Sequence, residues 1–444
     1  MLGRDEAVSL LESALRHSPA TQTEAGLNGR SSYVTRYCEN YIHQNVSETG
    51  YEVTVRAVNG KRIGSASVNQ LDESAVSGAV GQACRMAGLA PETPDFVSLP
   101  SPSSAPETSG GFSRATAACP PDLRAAYVER VIAMAREKGV RVAGALSTDT
   151  RELAVANSLG VRAYTAQTRA ALTCVAMSPD SSGYAEDNSF DVASIDPTRV
   201  AERAIEKCLL SRGPVTAPAG EYDVVMEPHA VASMLMYLAF LGLSAETYQE
   251  GRSFMTGALG QKVVGDNITI WDDGLDPAGL PMPFDFEGVP KRKVMLIENG
   301  VARGVVYNSL TAGREAKEST GHAVSMMGFT GSLPTNLFMA GGTSSVGEMI
   351  ASTKRGILVS RFHYVNPVHP VKAVITGMTR DGTFLIEDGR IVRGLRNLRF
   401  TESVLGALSR VEALSAEREM GGFLPVMCPA LKVKGFNFTG TTEF

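Results

Sequence analysis

Apolar residues recur at three- to four-residue intervals over residues 4–17. Val8, Leu11 and Leu15 share one face there, with Ala7 and Ala14 beside them, so the chain opens on an amphipathic helix. The period then falls to two. Residues 32–37, 40–47 and 51–58 read as strands, the last from the alternation Val53, Val55, Ala57. Asn59-Gly60 predicts a two-residue hairpin turn into a strand over 61–68. Asp72 is placed to cap a helix running to about Ala87, with Gly88 as its stop. A similar succession follows. A helix is predicted over 121–138, strands over 140–147, 152–157, 162–168 and 170–178, and a helix from Pro197 to about Leu210, since proline suits a first helical turn. The first half thus contains two passes of strands and then a helix, ending near Leu89 and Ser211. Between them, residues 90–121 are rich in Pro, Ser, Thr and Gly and predict a surface loop or mobile linker.

Gly213-Pro214 and Ala217-Pro218 mark a boundary. Beyond it come a strand over 221–226 and a helix over 228–243. Met234, Leu235, Met236, Leu238, Phe240 and Leu241 make that helix apolar on nearly all sides, which predicts burial. Mostly strands follow. Leu296-Ile297-Glu298-Asn299-Gly300 is echoed by Leu385-Ile386-Glu387-Asp388-Gly389, and an Arg-Gly pair follows each. Two equivalent type I′ hairpins in a closed or sandwiched sheet are expected. Ser344 or Ser345 would cap a helix over 346–352. The expected class is α+β with two domains: residues 1–215 sandwich-like with antiparallel sheets, and residues 219–444 β-rich and barrel-like.

At 444 residues the chain exceeds one ordinary core. Hydrophobic and charged fractions of 43% and 20% are those of a soluble globular protein. With net charge −5, and Lys291-Arg292-Lys293 as the only basic triplet, no nucleic-acid footprint is expected. The most apolar run, residues 234–243, is about half the length that spans a bilayer. No apolar leader opens the chain, and the six cysteines are scattered without a C-x-x-C. Reduced thiols, a cytoplasmic location and no membrane partner are expected.

Candidate chemistry is sparse. Asp272, Asp273, Asp285 and Glu287 form the best acidic cluster, but their turn-like settings predict solvated turn residues or sheet anchors rather than two carboxylates sharing a proton. His363 and His369 lie six residues apart on a predicted loop bent by Pro367 and Pro370, and could reach one ion with Cys428 as a third ligand. The alternative is ordinary loop and sheet residues. His229 reads as a helix-start residue. Ser253 lacks the second glycine of Gly-x-Ser-x-Gly and reads as a cap or contact residue. Gly341-Gly342-Thr343-Ser344-Ser345 is not followed by Gly-Lys-Ser/Thr, so no phosphate cradle is read there.

Several short segments occur in a telling order: Gly251-Arg252-Ser253-Phe254-Met255-Thr256-Gly257, Trp271-Asp272-Asp273-Gly274, Phe284-Asp285-Phe286-Glu287-Gly288, Leu296 to Gly300, Thr311-Ala312-Gly313-Arg314, Ser319-Thr320-Gly321 and Pro334-Thr335-Asn336-Leu337. Together they resemble the TldD/PmbA (TldE) family, whose two subunit types pair around a channel that takes unfolded peptide. One departure is the stretch Thr376-Gly377-Met378-Thr379-Arg380-Asp381-Gly382, where the family often carries Thr-Gly-Asp-Tyr/Phe-Ser. The family's peptidase subunit carries His-Glu-x-x-x-His about a dozen residues before the serine segment. Here that slot holds Met236-Tyr237-Leu238-Ala239-Phe240-Leu241, and no His-Glu dipeptide occurs anywhere. The peptidase's cysteine ahead of the Pro-Val segment is also missing before Leu424-Pro425-Val426. The resemblance therefore implies a PmbA/TldE-like subunit with no catalytic residue, metal ligand or cofactor of its own. It implies zinc in a TldD-like partner subunit, or a homodimer, and an extended peptide as substrate. Peptide or partner contacts are expected at Ser253, Asp285, Glu287, Met326 and Phe329, with Met327, Phe338 and Met339 as further apolar candidates; the alternative is that the methionines and phenylalanines of these two segments fill the chain's own core. The rival readings are a hydrolase with a relocated site and a binding protein acting on DNA gyrase or its inhibitors.

Overall fold

The computed structural model describes residues 1–104, 110–326, 329–422 and 424–442, with Met326 and Phe329 described in backbone only. The first half builds one sheet, not several. Its strands are β1 (Gln22–Cys38), β2 (Tyr41–Asn59), β3 (Arg62–Val68), β4 (Arg141–Asn157), β5 (Arg162–Ser178) and β6 (Ser181–Ser189). All pairs are antiparallel, in the order β3-β2-β1-β4-β5-β6. The two passes read from the sequence are thus two three-stranded meanders joined along β1 and β4. Each is preceded by a helix (Arg4–Arg16, Pro121–Glu137) and followed by one (Glu73–Leu89, Pro197–Leu210).

These helices cover one face of the sheet, burying Leu27, Val53 and Ala154 on one side of the repeat and Leu146, Leu172 and Ala185 on the other. The closing helix of each pass lies directly on a glycine of its last strand. A Cβ at Gly64 would stand 2.2 Å from Ala87 N, and one at Gly183 2.2 Å from Ala204 O. Asp72 caps the first of these helices by accepting from Ala75 N at 3.0 Å.

Strands predicted in pieces are continuous. Residues 40–47 and 51–58 both belong to β2, 140–147 and 152–157 to β4, and 162–168 and 170–178 to β5. Residues 43–50 are polar and mostly exposed, so they show no alternation, yet the backbone ladder runs through them and pairs Gly50 with Arg30. The turn before β3 uses Gly60 and Lys61, not Asn59-Gly60: Asn59 pairs with Arg62, and Gly60 takes φ +64°, as the first central residue of a II′ turn does. The described part of the expected linker is also tied down. Phe96 and Leu99 are buried against Val58, and Asn157 Nδ2 donates to Pro100 O at 2.8 Å. Residues 105–109 lie outside the described residues.

The second half contributes β7 (Gly220–Met226), β8 (Ile270–Asp272), β9 (Val294–Glu298), β10 (Val301–Ala302), β11 (Ala323–Met326), β12 (Phe329–Ser332), β13 (Leu337–Met339), β14 (Arg355–His369), β15 (Val374–Glu387), β16 (Arg390–Gly394), β17 (Leu398–Ser403), β18 (Val411–Gly421) and β19 (Val426–Thr441). The strands β19, β17, β15, β14 and β7 pair in succession, and β7 pairs back onto β19, which closes a barrel. The sheet continues from β19 through β13, β8 and β9 to β10. Phe362, Phe400, Phe436 and Phe438 pack together in the core at centroid distances of 4.4 to 5.9 Å.

The helix Pro228–Gly242 packs on the barrel with eleven of its fifteen residues buried, Leu235 and Leu238 fully, as its all-round apolar pattern predicts; Phe240, 42% exposed, is the exception. Both echoed hairpins are present. Asn299 and Gly300 take φ of 49° and 79°, Asp388 and Gly389 45° and 76°, the double positive φ of a type I′ turn. Ser345 caps the helix Val346–Ala351 through a reciprocal bond with Glu348. No described helix is long and apolar enough to cross a membrane.

Candidate functional site

The helix-free face of the first sheet packs on the second half. Strand alternation sends even positions of β1 and β2 and odd positions of β4 and β5 toward it. Leu153, Val155 and Val161 bury there with Met282 and Phe284. Beside this patch, Arg56 bridges two carboxylates: Nη2 lies 3.0 Å from Glu24 Oε1 and Nη1 3.0 Å from Glu287 Oε1. Burial pushes the Glu24 carboxyl up to about 7, with Arg56 pulling the other way.

The acidic cluster read from the sequence holds the wall of the second half in shape. Asp285 Oδ1 accepts from Glu287 N and Val289 N, and Oδ2 from Ala323 N. Burial and the neighbouring Glu287 raise its pKa. Glu287 Oε2 accepts from Ser309 N at 2.9 Å. Asp272 Oδ1 lies 2.8 Å from His322 Nε2, and Oδ2 accepts from Asn336 N at 2.7 Å. Burial works against that charge, yet His322 and Lys291 hold the Asp272 carboxyl below its ordinary range. Asp273 closes the following turn through Leu275 N. Asp272, Asp285 and Glu287 are therefore buried anchors, not solvated turn residues, and each is committed to partners within the chain.

Next to these anchors the two halves part to leave a cavity of about 540 Å³. Its sheet wall carries Asn28, Arg30, Glu52, Asp149, Arg151, Gln167 and Arg169. Its opposite wall carries Leu280, Met282, Phe286, Leu424 and Pro425, with Ser325 and Thr335. Arg151 spans the gap, its guanidinium 5.1 Å from the centre of the Phe286 ring. Sequence reading missed this cleft. Its arginines lie up to 139 residues apart (169 − 30), and only the β1–β4 and β4–β5 pairings bring them to one face. No local pattern marked them: Arg30 is flanked by Gly29 and Ser31, and Arg151 by Thr150 and Glu152.

Residues 236–241 lie within the helix Pro228–Gly242. Leu238 and Ala239 are buried in the barrel core, and Tyr237 donates its hydroxyl to Val365 O. Met236 packs against the cluster of Val324, Leu333 and Leu424, as does Phe286, and Leu424 and Phe286 line the cleft. The slot thus borders the cleft but offers no imidazole, carboxylate or thiolate. Among the described residues, no three His, Cys, Asp or Glu side chains are grouped to hold a metal. The donor set of a zinc peptidase site does not fit these residues.

The remaining predicted residues are dispersed. His363 and His369 lie on strand β14, not on a loop. His363 pairs with Met378, and His369 Nδ1 accepts from Lys372 N at 3.3 Å. Cys428 is fully buried in β19, where its thiol donates to Pro228 O and burial pushes its pKa well up. Ser253 is buried too, donating to Gly242 O at 2.6 Å and accepting from Met255 N at 2.8 Å, which fixes the turn after the helix. His229 sits 3.2 Å from Glu186 across the two halves, on the second residue of its helix. Phe338 and Met339 fill the chain's own core, Phe338 stacked on Trp271 at 5.6 Å. Met326 and Phe329 pair across the β11–β12 hairpin, and their side chains, with all of Met327, lie outside the described residues.

Family models place this architecture. The model described as PmbA/TldA metallopeptidase C-terminal domain matches residues 219–440, and that of the central domain matches 117–212. The fold is that of the metallopeptidase-related α+β proteins. The chain belongs to the TldD/PmbA family. An uncharacterized protein of Methanocaldococcus jannaschii is 37% identical over 139 residues, 31% of this chain and 32% of that protein. A protein named metalloprotease from Methanothermobacter thermautotrophicus is 25% identical over 278 residues, 60% of each. The matches thus span about a third to three fifths of these relatives' own length. Among solved structures, TldE from Thermococcus kodakarensis superposes with a TM-score of 0.88 at 25% identity, covering 97% of this chain and 99% of that one. A Thermotoga maritima protein titled a putative modulator of a DNA gyrase shares the fold, with a TM-score of 0.84 at 18% identity over 94% of this chain and 96% of that one.

Proposed function

We propose that this chain is a non-catalytic, PmbA/TldE-like subunit of a TldD/TldE-type metallopeptidase complex that processes unfolded or modified peptides in the cytoplasm. The observation that carries this reading is the apolar slot. Where the peptidase subunit has its two histidines and glutamate, this chain has Met236, Tyr237 and Leu241, with Met236 packed on the apolar cluster that includes cleft-lining Leu424. The likeness to TldE over nearly the whole chain supports it. In this reading the partner supplies zinc and the bond-breaking step, and this chain supplies a wall of the chamber. An extended peptide would be held by main-chain hydrogen bonds at a sheet edge, which tolerates many sequences.

Co-expression with a family member carrying His-Glu-x-x-x-His tests the pairing. The two should co-purify as a 1:1 complex through an interface on the order of 2,000 Å² or more. Elemental analysis should find zinc in the complex and no stoichiometric zinc in this chain alone. Zinc bound tightly to the isolated chain and lost on His363→Ala would instead favour a relocated site.

A further inference from the structure

We propose that Arg30, Arg151 and Arg169 form a carboxylate-binding subsite in the cleft, which selects extended peptides bearing an acidic group. The inference rests on the peptide-binding reading above and adds to it a preference for charge.

The argument begins with register. Arg30 on β1 pairs directly with Arg151 on β4, so two guanidinium groups share one face of the sheet. Like charges directly opposite are disfavoured. Asp149 is the one carboxylate among the described residues within ion-pair reach of the three, and it is taken by Arg30 at 2.8 Å. Among the described residues, neither Arg151 nor Arg169 has a carboxylate within 4.0 Å. Arg151 donates Nε to Asn28 Oδ1 at 2.9 Å. Its two Nη groups have no hydrogen-bond partner among the described residues. Arg169 donates Nε and Nη2 to Asn188 Oδ1, at 3.3 and 2.7 Å, which leaves Nη1.

Both side chains are half-buried. Burial depresses the pKa of each, with Arg30 adding to the effect at Arg151 and with Glu186 and Asp149 opposing it at Arg169. Asn28 orients Arg151 without neutralising it, and at Arg169 the carboxylates of Glu186 and Asp149 act only from beyond ion-pair reach. Of the groups lining the cavity, three are cationic and two, Glu52 and Asp149, are anionic. A carboxylate from outside would balance the charge, and a guanidinium fork donates two parallel hydrogen bonds to it. The facing wall of Leu280, Met282, Phe286 and Leu424 suits the aliphatic neighbours of such a residue, and about 540 Å³ admits a short stretch of peptide.

The test uses the full chain and fluorescent, unstructured peptides in fluorescence anisotropy. One peptide has internal glutamates and an amidated C-terminus. A second has glutamines in their place. A third has glutamines and a free C-terminal carboxylate. The glutamate peptide should bind about tenfold more tightly than the amidated glutamine peptide. Arg151→Gln and, independently, Arg169→Gln should each remove most of that difference while leaving the affinity for the glutamine peptide unchanged. Arg151→Gln also relieves the repulsion with Arg30, so it should melt no lower than the parent. If only the third peptide gains affinity, the recognised group is the chain terminus and the preference for internal acids is wrong. Equal binding of all three, or a preference retained in the double variant, overturns the subsite alone. No binding of any of them overturns the peptide-binding reading as well.

Discussion

Arg56 Nη1 and Glu287 Oε1 lie 3.0 Å apart although 231 residues separate them in the chain. The same guanidinium holds Glu24 at 3.0 Å, so one half-buried cation joins β1 and β2 to the anchored wall of the second half. Removing it would leave two buried carboxylates without a counter-charge. Arg56→Ala should therefore cost about 3–5 kcal/mol in urea denaturation. A loss under about 0.5 kcal/mol would show that the halves are held together elsewhere.

Glu24 also makes stability depend on pH. Its folded pKa is raised to about 7 from an ordinary 4.5, so the folded state holds the proton more firmly than the unfolded chain. That contribution is fully present below 4.5 and is lost as pH rises through about 7. The melting temperature should fall between about pH 5 and 8, and Glu24→Gln should flatten part of the fall. Asp272 and Glu227 act in the opposite direction, since both are held below their ordinary values and their stabilisation is lost in acid. An unchanged pH slope in Glu24→Gln would contradict the assignment.

Leu238 has no exposed surface and lies between the helix Pro228–Gly242 and the barrel. Leu238→Asp buries a charge with no partner and should cost about 3 kcal/mol or more. Phe240→Asp, at an exposed position of the same helix, should be tolerated. Equal melting temperatures for the two variants would show that the packing is wrong.

Residues 92–100 should resist limited proteolysis despite their composition, because Phe96 and Leu99 are buried and Leu99 N donates to Gln22 Oε1 at 2.9 Å. Phe96→Ala should open the segment to cleavage. A first cut within 92–100 of the parent chain would refute the anchoring.

Much of the fold was legible because local signals agree with it. Asp72, Pro197 and Ser345 start helices where capping chemistry places them, and Asn299-Gly300 and Asp388-Gly389 turn as their residue types require. Strand length was not legible. The exposed arm of β2 lacks alternation, and its ladder depends on β1 rather than on its own side chains. Residues 91–104 form a surface loop, one of the two expected outcomes, but the loop is pinned because Phe96 and Leu99 outweigh the Pro and Ser around them once Val58 is beside them. The empty motif slot could be read from residues 236–241 alone. The cleft could not, since it exists only when Arg30 meets Arg151 across β1 and β4 and Phe286 closes over them.

The central claim is that this chain lacks its own bond-breaking site and acts through a partner. Cleavage of an unstructured peptide measures this directly, with this chain, the His-Glu-x-x-x-His relative and the pair assayed at equal concentration. The pair should cleave, this chain alone should not, and mutating the partner's two histidines should abolish cleavage by the pair. If this chain alone cleaves at the rate of the pair, and the mutant partner makes no difference, the non-catalytic assignment is wrong.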